Sequence, residues 1–257
     1  MTPPTLVLLA GPGRNARILF NALRETFPIA AVILEDRVPR MDFLARRIRR
    51  LGAATVLGQL CFRATVVPAL NLICRRRIRE IKHLNRLSDR PIPLSKIRKV
   101  RSINDSQTAE FVNQGQPAII IISGTRLLSA DLLADLTAPV LNIHAGITPL
   151  YRGVHGAYWA LTQNDTDHCG VTIHLVDEGI DTGGILAQTR IHPTADDSLV
   201  TYPLVQLAAA IPLLKETIFS LSRAEADTID PPRGGSRLWS HPTLTEYLRL
   251  RWSIGVR

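Results

Sequence analysis

Asn142 and His144 stand two apart in VLNIH, a run whose composition predicts a strand over Val140 to His144, and strand alternation aims both side chains at one side of a sheet. A carboxamide beside an imidazole offers a donor to a developing oxyanion and a group that moves a proton near neutral pH. The bland alternative is a polar strand end satisfied by backbone. A second cluster, Asp177-Glu178-Gly179-Ile180-Asp181-Thr182-Gly183-Gly184, packs three acids and three glycines into eight residues between two strand-like runs. Its glycines allow a sharp turn, and an acid held in such a turn can orient a histidine. An exposed hairpin is the competing reading; a Ca²⁺ loop is disfavoured, because the oxygens lack the EF-hand order and a closing Glu at position twelve.

These groups need a scaffold that brings them together. TLVLLA, the glycine turn Gly11-Pro12-Gly13-Arg14-Asn15, and ARILFNALRETF predict strand, turn and helix, and Ile29 to Leu34 predicts the next strand of a right-handed β-α-β unit. AIIIIS, after Pro117, reads as a central parallel strand covered on both faces. A short strand is expected at Val100-Arg101-Ser102, and a helix over Ser106 to Asn113 opened by a Ser cap. Helices are also expected after Ser129, around His155 to Gln163, and from Ser198 to Leu221, the last bent at Pro203 and Pro212. Strands are expected at Gly170 to Val176 and Gly184 to Ile191. The fold class is α/β: a doubly wound, mostly parallel, Rossmann-like sheet with a small C-terminal helical tail. Residues 1–222 form the expected main domain, with a basic insertion at about 37–101, and residues 223–257 a linker and tail. Asn142 and His144 then lie at the C-terminal edge of the sheet, where loops and helix N-termini converge on ligands.

In residue type and order, LNIHAGITPLYRGVHGAYWAL followed by GVTIHLVDEGIDTGGIL resembles the 10-formyltetrahydrofolate-dependent formyltransferases, a family that includes glycinamide ribonucleotide transformylase, methionyl-tRNA formyltransferase and nucleotide-sugar amine formyltransferases. The resemblance is dense from about Ser123 to Leu186 and weaker from Leu6 to Leu34. It implies that Asn142, His144 and Asp181 are the catalytic trio, with no metal: Asn142 and His144 hold the oxyanion while Asp181 orients the imidazole. For the co-substrate 10-formyltetrahydrofolate it implies a pocket formed by Arg126, Leu127 and Leu128, through backbone groups, with Val176, Asp177, Gly179 and Ile180 as the facing wall. No third glycine completes a dinucleotide fingerprint at the first turn; the resemblance implies instead an acceptor site at Gly11, Gly13 and Asn15, holding phosphate at the helix N-terminus, and at Tyr151, Arg152 and His155.

The chain of 257 residues carries a net charge of +9, and from Arg37 to Arg101 there are 18 Lys and Arg against three acids. Such a field attracts nucleic acid, an anionic membrane surface or a phosphorylated small molecule, or is a solvated helix face; nucleic acid is not favoured, since no aromatic residues interleave with the cations. Gln59, Arg63, Pro68 and Asn71 interrupt the most apolar stretch and argue against a membrane span. Three widely spaced cysteines support neither a disulfide framework nor a metal knuckle, and the N-terminus lacks a basic leader, so the expected setting is cytoplasmic with no membrane partner. A homodimer stays open. The expected reaction is formyl transfer to the amine of a small acceptor, first a nucleotide-linked amino sugar, with hydroxyornithine, glycinamide ribonucleotide and methionyl-tRNA as alternatives. A folate-deformylating hydrolase and a non-catalytic anion- or nucleic-acid-binding module on the same fold are the other readings.

Overall fold

A computed structural model of the chain describes residues 2–257, apart from the side chains of Arg40 and Phe43. Its elements run β1 (Leu6–Ala10), α1 (Arg14–Leu23), β2 (Ile29–Glu35), α2 (Arg40–Leu51), α3 (Ala53–Ile73), α4 (Arg75–Leu84), β3 (Ile97–Val100), α5 (Gln107–Gln114), β4 (Ile119–Ser123), α6 (Ala130–Asp135) and β5 (Val140–His144). Then follow β6 (Arg152–Gly153), α7 (Gly156–Thr162), β7 (Gly170–Leu175), β8 (Ile185–Arg190), α8 (Tyr202–Ser222), β9 (Leu238–Trp239) and α9 (Leu244–Ser253).

Seven strands form one sheet in the order β3-β2-β1-β4-β5-β7-β8. The first five are parallel; β7 runs antiparallel to β5, and β8 antiparallel to β7. This is the expected doubly wound α/β sheet. The apolar run of β1 divides between two cores by alternation: Leu6, Leu8 and Ala10 join Leu19, Phe20, Leu214 and Ile218 on one face, and Val7 and Leu9 join Ile120, Val112 and Leu132 on the other. The chain leaves β1 for β2 and β3 on one side and returns to β4 on the other, so the sheet's switch point lies at the C-terminal ends of β1 and β4, where Gly11 N–H donates to the Ser123 carbonyl at 3.0 Å. Crevices at such points are the usual ligand sites of open α/β sheets.

A third core lies off the sheet. Phe62 and Leu70 of α3 meet Tyr158, Trp159, Trp239, Tyr247 and Leu250, so residues after 223 return to pack beside α3 and α7. Trp159 and Trp239 stack with ring centroids 4.7 Å apart, and a capping box between Thr243 and Glu246 starts α9.

Several local expectations need correction. The strand placed at Val100 to Ser102 lies earlier, at Ile97–Val100, because Asp105 Oδ2 accepts from the peptide N–H groups of Arg101 and Ser102 and turns the chain there. The helix at α5 forms, but Ser106 is already in helical backbone conformation and its hydroxyl caps nothing. Ser129, by contrast, caps α6 through Leu132 N–H. Pro203 does not bend α8; it sits in the first turn, where its missing N–H has no helical partner to lose, and Pro212 alone lies inside the helix. The two-residue pairing of β6 with β9 is too short to leave a periodic signal.

Candidate active site

At the end of β5, Asn142 and His144 point to the same side, as alternation requires. His144 is 5% exposed, and its Nδ1 lies 3.2 Å from Asp181 Oδ2 while its Nε2 lies 2.7 Å from the Tyr151 carbonyl. Both ring nitrogens therefore face acceptors. Asn142 Nδ2 donates to Asp181 Oδ1 at 3.2 Å and approaches His174 Nε2 at 3.1 Å. His174 Nδ1 meets the Leu175 carbonyl at 2.6 Å, which places its proton there and leaves Nε2 as the acceptor for Asn142. Asn142 and His144 of β5 and His174 of β7 thus gather around the one carboxylate of Asp181.

Asp181 reaches β5 because the loop after β7 is tightly held. Asp181 has φ 53, a left-handed conformation that Asp tolerates better than most residues. Asp177 orders the turn, its carboxylate accepting from Gly179 N–H and Thr182 Oγ1 at 3.1 and 2.7 Å, and Arg152 Nη1 donates to the Ile180 carbonyl at 3.1 Å. Gly153 closes the other side: its N–H donates to Asp181 Oδ2 at 2.8 Å, its φ is +91, and a Cβ there would collide with the Trp239 carbonyl. Burial pushes the Asp181 carboxyl up, but hydrogen bonding and charge from His144, with His174 and the Gly153 N–H nearby, outweigh it and hold Asp181 well below the usual carboxylate range.

This trio lies in the wall of a cavity of about 1540 Å³. Single drug-sized ligands fill roughly 300–1,000 Å³, so there is room for two reactants side by side. Gly11, Gly13 and Asn15 line it at the N-terminus of α1, as do Arg126, Leu127, Leu128, Val176, Asp177, Gly179, Ile180 and His155. Tyr151 and Arg152 do not line it. Tyr151 is turned into the third core, its hydroxyl donating to Asp165 Oδ2 at 2.8 Å, and it serves the site only through its carbonyl on His144. Arg152 braces the Asp181 loop. The guanidinium of Arg126 is also committed: it bonds the Arg101 and Asp36 carbonyls, both at 3.0 Å, and pairs with buried Glu35 at 3.0 Å. Among the described residues, the Arg126 carbonyl and the Leu128 peptide N–H and C=O are left without protein partners on the cavity wall. Beside Val176 and Ile180, these backbone groups offer both acceptors and a donor to whatever occupies the cavity.

Sequence reasoning missed His174, Glu35 and, apart from His155, the far wall of the cavity. His174 faces Asn142 in the β5–β7 register, an antiparallel pairing that spacing along the chain does not reveal. On the far wall, His155 Nε2 and His241 Nδ1 lie 2.8 Å apart, Gln59 Nε2 donates to the His241 carbonyl at 2.6 Å, and Gln59 Oε1 accepts from Arg47. Arg14, Arg37 and Arg63 also line the cavity and form no ion pair with a carboxylate among the described residues.

The chain is 26% identical over 156 residues to a methionyl-tRNA formyltransferase from Pelotomaculum thermopropionicum, a match covering 60% of this chain and 49% of that protein. It spans about half the length of the curated relatives it matches. Its fold matches the crystal structure of phosphoribosylglycinamide formyltransferase from Streptococcus pneumoniae TIGR4 with a TM-score of 0.54 at 19% identity, covering 85% of this chain and 98% of that one. It also matches a sugar N-formyltransferase from Shewanella sp FDAARGOS_354 with a TM-score of 0.54 at 14% identity, covering 96% and 86%. Residues 76–206, half of the chain and the half that holds Asn142, His144, His174 and Asp181, match the family model described as formyl transferase, and the chain belongs to that family.

Proposed function

We propose that this protein transfers a formyl group from 10-formyltetrahydrofolate to the amine of a small anionic acceptor, with a nucleotide-linked amino sugar as the acceptor class. The observation that carries this reading is the closed network of Asn142, His144 and Asp181 in the wall of a cavity large enough for two substrates. The folate supplies the formyl carbon, held by the unpaired backbone groups of Arg126 and Leu128 and the apolar wall of Val176 and Ile180. Asp181, kept ionised, fixes the ring of His144 through Nδ1 and favours a proton there. As the acceptor amine bonds to the formyl carbon and the bond from that carbon to the folate nitrogen breaks, the amine's proton passes to the leaving nitrogen by way of His144 at its cavity side, once its bond to the Tyr151 carbonyl is exchanged. Asn142 supplies an amide N–H to negative charge developing on the formyl oxygen by releasing His174. Arg14, Arg37 and Arg63, with the N-terminus of α1, favour an acceptor bearing phosphate.

The test is a panel of amines incubated with 10-formyltetrahydrofolate and read by mass for the gain of one formyl group. Asn142→Ala and His144→Ala should each lose about 3 kcal/mol of transition-state stabilisation, a hundredfold or more in turnover, with the circular dichroism spectrum unchanged. Turnover near that of the unaltered protein in either variant contradicts the assignment, and formate release without any amine would point to a hydrolase.

A further inference from the structure

The helices inserted between β2 and β3 carry an exposed surface most of which lies outside the cavity. α3 has one charged residue, Arg63, in its 21 residues. Its inner side gives Phe62 and Leu70 to the third core. Its outer side leaves Leu57, Leu60, Leu72 and Ile73 between 45% and 70% exposed, and with exposed Ala64 and Pro68 the positions 57, 60, 64, 68 and 72 follow helical spacing as one apolar stripe. In α2, Met41 and Ile48 are also exposed. Exposed Arg46, Arg49 and Arg50 precede the stripe along the chain in α2, and exposed Arg75, Arg76 and Arg79 follow it in α4. None of the six pairs with a carboxylate among the described residues, and α2 to α4 hold only two acids, Asp42 and Glu80.

We propose that this face docks on an anionic phospholipid bilayer, with α3 lying in the interfacial plane. Unpaired arginines at both ends of an exposed apolar stripe are complementary to acidic headgroups and the acyl boundary beneath them. A spanning role is incompatible with the fold, because the inner side of α3 is built into the third core. Nucleic acid matches the charge but not the apolar stripe between the cations. Leu60 and Ala64 belong both to the stripe and to the cavity lining, so docking sets the cavity mouth at the bilayer surface. The inference is independent of the reaction assigned to the cavity, and it departs from the expectation of no membrane partner.

Co-sedimentation of the full chain with vesicles tests it. Binding is expected to phosphatidylcholine vesicles containing phosphatidylglycerol and not to phosphatidylcholine alone. Leu57→Gln/Leu72→Gln/Ile73→Gln should weaken it by about tenfold or more, and Arg75→Gln/Arg76→Gln/Arg79→Gln by about a hundredfold, with circular dichroism unchanged. Three results would overturn the proposal: no pelleting with anionic vesicles; an apolar variant that pellets as the unaltered chain does, the behaviour of a purely electrostatic RNA-type surface; or a stable dimer in sedimentation velocity that the same apolar variant dissociates. If one triple variant fails to fold, the other still decides.

Discussion

Helices α3 and α8 are each 21 residues long, have equal mean hydropathy, and carry one interior proline, Pro68 and Pro212. Their fates differ. α8 buries nine residues, among them Leu204, Leu207, Ile211, Leu214 and Ile218 at intervals of three and four, against β7, β8 and α1. α3 buries four, Leu70 among them, and leaves Leu57, Leu60 and Leu72 in solvent. Apolar content alone therefore does not say where a helix goes; what matters is whether the sheet offers a face. α8 covers the sheet beside α1, while the third core, smaller and aromatic, receives only one side of α3.

The contrast is tested most severely at Leu214, fully buried against Leu8, Ile173 and their neighbours. Leu214→Ala should cost about 2–5 kcal/mol in urea unfolding, because a close-packed core relaxes only partly around the lost atoms. A loss below about 1 kcal/mol would mean that α8 is no better packed than α3. The next effect lies where the inserted helices are tied to the start of α8. Arg77 of α4 bonds Asp197 in two places, at 2.9 and 3.0 Å, and Asp197 is almost fully buried while Arg77 is one-fifth exposed. Arg77→Ala should destabilise by about 2 kcal/mol, less than a fully buried pair loses because Thr194 and Thr201 still donate to Asp197. An unchanged unfolding midpoint would show that the insert rests on the body without being fastened to it.

Much of this arrangement was legible in the sequence where one local rule decides. The strands of the parallel sheet announce themselves as continuous aliphatic runs, and the two-residue spacing of Asn142 and His144 fixes their common direction. Leu127, Leu128 and the Val176 to Asp181 loop, to which the family resemblance points, line the cavity at the strand ends of the open α/β sheet. Pairing across the chain was not legible. His174 becomes a partner of Asn142 only through the reversed direction of β7, Arg126 is withdrawn by a glutamate ninety-one residues away, and Tyr151 is turned inward by Asp165 and Trp239. Gln59, Arg63, Pro68 and Asn71 interrupt the apolar run without ending the helix, which continues to Ile73: Gln59 bonds the His241 carbonyl, and Asn71 returns its amide to the Val67 carbonyl.

The inner side of α3 meets polar groups where α8 meets leucines, and acid should expose that difference. His155 and His241 share a hydrogen bond, and burial, together with Arg63, lowers their pKa values to about 4 and about 3. The unfolded chain takes up these two protons near pH 6.5, while the folded pair stays neutral until about 4 and 3. Between those limits the unfolded state binds more protons, so stability falls as the pH falls. The cavity admits solvent to both rings, and we expect the pair to account for about 1 kcal/mol of the loss, roughly 2–4 °C in melting temperature. The double variant His155→Gln/His241→Gln should show a correspondingly flatter melting curve between pH 6.5 and 4; an equal slope would place the acid sensitivity elsewhere.

The smallest effect is expected on the outer side of α3. Leu57→Ser and Leu72→Ser remove side chains that are each 62% exposed, so little apolar area returns to water on unfolding and each change should move stability by under about 0.5 kcal/mol. Serine has only a slightly lower helix propensity than leucine, which leaves packing as the one term that could enlarge the effect. A loss above about 1.5 kcal/mol, measured by urea unfolding with an unchanged m-value, would require an intramolecular partner for the stripe. α3 would then be a second α8, covered within its own chain, and its leucines would no longer need anything outside the molecule to account for them.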